Sequence, residues 1–336
     1  MLKNGKLFIF ILVVVFLISC SVKDKNEIGV QLVKTVSLSP EIQLNTQIPK
    51  IHVNKEYVVV FDRVDSSIIL LDKNGHLLDK YGEKGQAPNS FGRLQPMLVD
   101  AFENNLFISD DVLGRLSIVS IENSKLIQKN MILEQNVSVS VINKDEIWLY
   151  RFLPEGESDY IFQKLSSSLQ VLDQYITFFK FYGVLDKRKV VDHSFTLFKV
   201  NGKRDVFLAH IFDGKIVKLR INDDGTYERL SSVVIPFEKK AKNYYPEPAE
   251  PGSCVIGGYY MTDSYLIVKK GYVSLDKMKN PPQKYLFYIY DFDLQLVGEL
   301  SFKENINPFF TRDMHSMYYL KDNQIFEYLI EKFESM

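Results

Sequence analysis

The chain has 336 residues, with 41 Lys and Arg against 42 Asp and Glu and a formal charge of −1. Without a basic excess to neutralise phosphates, nucleic acid is not an expected partner. Hydrophobic residues at 46% and aromatics at 13% are enough for a packed core, while two cysteines exclude a disulfide framework and cysteine-built metal sites.

Residues 1–20 read MLKNGKLFIFILVVVFLISC. Lys3 and Lys6 precede an uncharged apolar run over 7–18. As a helix that run is roughly 18 Å long against a hydrocarbon core of about 30 Å, too short to span and laid out like a signal peptide. Leu17-Ile18-Ser19-Cys20 resembles the lipobox of bacterial lipoproteins, in which a small residue precedes an invariant cysteine. That resemblance implies a diacylglyceryl thioether on Cys20, cleavage before it and acylation of the new amino terminus. At about 0.8 kcal/mol per buried methylene, several acyl chains anchor stably where one is marginal. The chain then divides into a leader (1–19), a lipidated cysteine with a polar tether (20–29) and a folded domain (30–336). With Cys20 lipidated, Cys254 alone remains and no intrachain disulfide forms. Ser21 after the cysteine favours the outer membrane by the same resemblance. Lys23-Asp24 is similar to the surface-export signal of Bacteroides-type lipoproteins, but Lys25 stands where a second acid is expected, so the leaflet stays open.

An apolar strand, VQLVKTVSL (30–38), opens the domain. One strand type then recurs as EYVVVFD (56–62), NLFISDD (105–111), EIWLYRF (146–152), DVFLAHI (205–211), SYLIVKK (264–270) and SMYYLKD (316–322). These lie roughly 40 to 60 residues apart, the spacing of repeated β units. A second and often a third strand follow each. The first unit gives IILLD-KNG-HLLDKYG, where Asn74-Gly75 supplies the positive φ of a tight turn, and the fourth gives KIVKLRIN-DDG-TYERL with Asp224-Gly225. Units two, three and five follow as RLSIVSIENSKLIQ, YIFQKLSSSLQVLDQ and YLFYIYDFDLQLVGEL; the sixth gives only QIFEYLIEKF. Five complete units, a truncated one and the opening strand make an all-β, six-bladed propeller with its ring closed by the N-terminal strand. A sandwich or two separate β domains would not explain the fixed order within units.

Tyr81 to Phe91 reads YGEKGQAPNSF and resembles the Gly-x-x-Gly-x-Gly-Pro-Gly-Glu-Phe segment of NHL-like and TolB-like six-bladed propeller lipoproteins of Bacteroides-type bacteria. Gly82, Gly85, Pro88 and Phe91 match, while Ala87 and Asn89 replace glycines and Ser90 replaces the glutamate. The resemblance implies the fold. It says little of activity, because this fold hosts enzymes, binders and scaffolds.

No nucleophile elbow, His-Glu-x-x-His, P-loop or dinucleotide fingerprint is present, and His52, His76, His193, His210 and His315 show no ligand spacing. No catalytic residue or metal ligand is assigned. Superposing the recurring strands aligns Asp62, Asp110, Arg151, His210, Lys270 and Asp322 at one rim. In ring order Asp322, Asp62 and Asp110 are contiguous, as are Arg151, His210 and Lys270. Such a mouth would suit a peptide or sugar derivative; alternatively the aspartates cap the following turns. Three acids in one arc also raise calcium, which needs six to eight oxygens; no cofactor is otherwise implied. The irregular loops 241–258 and 271–284 carry Tyr244, Tyr245 and Tyr272, aromatic contact area for a ligand or plain surface decoration. Trp148 reads as blade-packing core. The leading expectation is a membrane-anchored envelope binding or assembly module that uses a propeller face for a peptide, glycan or protein partner. The alternatives are a metal-dependent hydrolase or lactonase-like propeller and a structural subunit of an outer-membrane complex.

Overall fold

Runs such as YVVVF and YLIV show no polar alternation, the pattern of strands covered on both faces. A computed structural model shows what covers them. It describes residues 27–331 apart from 47–48, 93, 95–98, 111, 134–136, 144–145, 153–158, 179–195, 202, 211–213, 223, 225, 236–255 and 272–283. Among the described residues there are 24 strands in six four-stranded antiparallel sheets, and no helix.

Each sheet is one blade. Blade 1 is β2 (Lys50–Val53), β3 (Tyr57–Asp62), β4 (Ser67–Asp72) and β5 (Leu77–Tyr81). Blade 2 is β6 (Val99–Phe102), β7 (Asn105–Asp110), β8 (Arg115–Glu122) and β9 (Lys125–Leu133). Blade 3 is β10 (Val137–Asn143), β11 (Glu146–Phe152), β12 (Asp159–Leu165) and β13 (Val171–Phe178). Blade 4 is β14 (Thr196–Val200), β15 (Asp205–His210), β16 (Lys215–Ile221) and β17 (Tyr227–Val234). Blade 5 is β18 (Ile256–Met261), β19 (Tyr265–Lys270), β20 (Tyr285–Asp291) and β21 (Leu296–Phe302). Blade 6 is β22 (Phe309–Phe310), β23 (Ser316–Lys321), β24 (Gln324–Ile330) and β1 (Val30–Ser37). The recurring strand of the sequence is therefore the second in each blade, and a shorter inner strand precedes it. In blade 6 the outermost strand, β1, pairs antiparallel with β24, from Val30 opposite Ile330 to Ser37 opposite Gln324.

The period of two along a strand sends alternate side chains to opposite neighbours. From β3, Val59 and Phe61 enter the cluster between blades 1 and 2, while Val58 and Val60 enter the one between blades 6 and 1. From β15, Val206 and Leu208 pack toward blade 3 and Phe207 and Ala209 toward blade 5. From β20, Tyr288 and Tyr290 face blade 4 and Phe287 and Ile289 face blade 6. Buried apolar clusters of this kind fill all six junctions between neighbouring blades. The six-bladed expectation thus stands, and the recurring strands look uniformly apolar because each has a blade on either side. Trp148 is fully buried at the junction of blades 3 and 4, as a packing residue should be.

Turn chemistry explains the breaks. Asp72 accepts from the backbone N–H of Asn74 at 2.8 Å and of His76 at 2.9 Å, and Gly75 sits at φ +83°, where a Cβ would meet Ser37 O at 2.6 Å. In the 81–91 segment, Gly82 also has φ +83° and lies under the Phe91 ring, which is 2% exposed between blades 1 and 2. Gly85 N–H donates to Phe91 O at 3.0 Å and Phe91 N–H to Glu83 O at 2.8 Å. Of the matching residues Gly82 and Phe91 serve packing, while Pro88 is exposed.

Candidate functional site

The same strand order in every blade points the inner strands one way along the axis, so their C-terminal ends share a rim. A cavity of about 980 Å³ lies on the axis and opens there. Its lining combines inner-strand residues with turns just beyond them, among them Asn54, Glu103, Asn201, Asp263 and Arg312.

The polar groups inside come from separate blades. Lys50 and His52, two apart on β2, both turn toward blade 2: the Lys50 ammonium donates to Val99 O at 2.7 Å, and His52 Nε2 lies 3.1 Å from Glu103 O. Asp100 on β6 reaches the other way. Its Oδ1 accepts from Ala101 N–H at 3.0 Å; its Oδ2 accepts from Val141 N–H of blade 3 at 3.0 Å and from the Lys199 ammonium of blade 4 at 2.7 Å. A charged hydrogen bond in such surroundings is stronger than one in water.

Burial and these neighbours set the protonation states. Burial, then the Lys199 ammonium, pulls Lys50 down to about 8 against the opposing pull of Asp100. Burial pushes His52 down to about 4, so at neutral pH the ring is uncharged and donates from Nε2. For Asp100 burial works toward a higher value, but Lys199 and then Lys50 prevail and hold it below the usual carboxylate range. Apolar surface surrounds this cluster: Phe309 meets the His52 ring edge-on at 5.0 Å, and Tyr260, Met261 and Val200 contribute walls.

Arg312 bars the mouth. From the β22–β23 turn it crosses to blade 3, the blade opposite in the ring, where Nη1 donates to Ile142 O at 2.8 Å and Nη2 to Val141 O at 3.1 Å. Its guanidinium lies 4.5 Å over the Phe102 ring of blade 2 and 3.8 Å from Asp263 of blade 5. Another buried cation, Lys269, is structural: it donates to Asn305 Oδ1 at 2.6 Å and Ile306 O at 2.5 Å, outside the cavity lining.

The six aligned positions lie at the opposite rim. Asp62, Asp110, His210 and Lys270 end β3, β7, β15 and β19; Arg151 is next to last in β11, and Asp322 follows β23. Asp62 accepts from Asn45 N–H at 3.1 Å, Thr46 Oγ1 at 2.5 Å and Val64 N–H at 3.0 Å. Asp110 accepts from Gly92 N–H at 2.7 Å and from Val112 and Leu113 N–H at 3.1 Å each. Both are buried and cap their turns. The Asp322 side chain is 82% exposed and Lys270 half-buried. Asp62, Asp110, Lys270 and Asp322 do not line the cavity. The side chains of Arg151 and His210, and all of Tyr244, Tyr245, Tyr272, Cys20 and Cys254, lie outside the described residues. Among the described residues no three His, Cys, Asp or Glu side chains are grouped to hold a metal ion. Asp110→Ala is expected to cost about 2 kcal/mol of stability, read by urea unfolding, because three backbone N–H groups lose their acceptor.

Sequence comparison is silent: no protein-family model and no curated protein matches the chain. Solved structures do match. A DUF4221-family protein of Bacteroides vulgatus ATCC 8482 superposes with TM-score 0.52 at 10% identity, over 91% of this chain and 99% of that one. A Bacteroides fragilis NCTC 9343 protein described as exported gives 0.51 at 13% identity, over 87% and 84%. At such identities the likeness establishes the propeller fold and leaves chemistry to the residues described above.

Proposed function

We propose that this chain is a lipid-anchored envelope protein, tethered through Cys20, whose propeller binds a small polar ligand, or the terminal part of a peptide or glycan, in its axial cavity. The carrying observation is the convergence of Lys50, Asp100, Val141 and Lys199, from four blades, on one enclosed space. A concave site with apolar walls and a few fixed polar groups is the usual form of a small-ligand pocket. The leader pattern and the exported description of the Bacteroides fragilis protein support placement in the envelope. The stretch from Cys20 to Glu27 spans at most about 25 Å when extended, so the domain stays near the bilayer and its ligand comes to it. The resemblance at 81–91 supports an NHL-like or TolB-like relationship, and the residue after Cys20 favours the outer membrane.

Two measurements test this reading. Wild-type protein is expected in the membrane fraction and Cys20→Ser in the soluble fraction; a Cys20→Ser protein that stays membrane-bound overturns the anchor. Purified protein incubated with an envelope extract, dialysed and then denatured should release a small molecule detectable by mass spectrometry. Release of none overturns the binding role.

A further inference from the structure

We infer that the cavity selects its ligand by an acid group, a carboxylate or phosphate seated against the ammonium of Lys199 beside Lys50. This deepens the binding role proposed above and rests on it. The donor and acceptor inventory carries the argument. Asp100 has both oxygens engaged, by Ala101 and Val141 N–H and by Lys199. It is therefore the wall's own counter-ion and is poorly placed to receive a cationic ligand. Lys199 gives one of its three N–H groups to Asp100 at 2.7 Å and keeps 16% of its side chain exposed on the cavity wall.

The ammonium of Lys50 is close enough for the charge of Lys199 to lower its proton affinity. An acid group between the two would accept from both and relieve that repulsion. The His52 ring is uncharged and bonded to a backbone carbonyl, so it brings no competing charge. Above this floor, Phe309, Tyr260 and Met261 offer apolar surface to the body of the ligand. The combination fits an organic acid or phosphate ester with an apolar part. Charge-assisted hydrogen bonds to such groups are the strong ones.

The test uses the full wild-type chain in detergent with two aldehydes of the same ring, pyridoxal 5′-phosphate and the uncharged pyridoxal. A lysine amine attacks the aldehyde carbon, water leaves, and borohydride reduces the imine to a stable amine that peptide mass spectrometry locates. With the phosphate-bearing reagent, Lys50 or Lys199 is expected to react about ten-fold faster than exposed lysines such as Lys125, and inorganic phosphate should slow that reaction. Pyridoxal is the internal control: amines that react only because burial lowers their proton affinity would be labelled equally by both aldehydes.

Equal labelling of Lys50 and Lys199 by both aldehydes, or no protection by phosphate, overturns the acid preference and leaves the cavity reading standing. Failure of both reagents to label Lys50 and Lys199 overturns both readings.

Discussion

Replacing Lys199 with methionine is expected to destabilise the protein by about 3 kcal/mol, more than any single surface change, measured by urea unfolding at pH 7.5. Methionine keeps the length and apolar contacts of the lysine stem and removes only the charge and its donors. Asp100 then stays ionised on the axis, held by Ala101 and Val141 N–H but without its 2.7 Å partner. Breaking a buried pair costs about 3–5 kcal/mol because the surviving charge is left uncompensated. The lower end applies here, since the two side chains keep 16% and 20% exposure and Lys50 remains nearby to share the load. The double variant Lys199→Met with Asp100→Asn removes both charges and should recover much of the loss. A double variant as unstable as the sum of the single ones would mean that the two residues do not act as a pair.

Much of this architecture is written in the sequence, for a physical reason. A blade strand covered on both sides must be apolar at successive positions, so YVVVF, EIWLY and YLIV stand out from the chain. Their turns announce themselves through Asn74-Gly75 and through aspartates that cap N–H groups. The aligned strand ends lie at the rim away from the cavity, where Asp62 and Asp110 follow the turn-cap alternative. An acid closing an apolar strand is a turn cap first, and Asp62 and Asp110 have their oxygens committed to backbone and Thr46 donors.

The cavity left a fainter trace. Lys50, His52, Asp100 and Lys199 sit on short inner strands, each charge isolated among apolar neighbours as in KIHV, VDAF and TLFKV. Nothing in their spacing relates them, because they meet only once four blades stand around one axis. The available signal is a charged residue inside the short inner strand of three of the six blades, β2, β6 and β14. The role of Arg312 had none, since its carbonyl partners lie on the opposite blade.

His52 gives the protein an acid sensitivity that begins well above the carboxylate range. The ring is held at about 4 by burial, against an ordinary value of 6.5. Above about pH 6.5 it is neutral in folded and unfolded chains alike and contributes no slope. As pH falls from 6.5 toward 4, the unfolded chain takes up a proton that the folded one refuses, so stability is lost throughout that window and the loss levels off below it. The depressed value corresponds to roughly 3 kcal/mol by pH 4. Asp100, whose folded value is lowered, acts in a different window: its contribution is present above the ordinary carboxylate pKa of 3.8 and is lost only as pH falls below it. His52→Gln separates the two, because glutamine can still donate to Glu103 O but cannot titrate. Urea unfolding of wild type at pH 7.5, 5.5 and 4.5 should show falling stability, and the difference between wild type and His52→Gln should shift in favour of glutamine by a few kcal/mol across that range. Parallel curves for the two proteins would mean that His52 is protonated in the folded state, and that the cavity floor carries a third cation at acid pH.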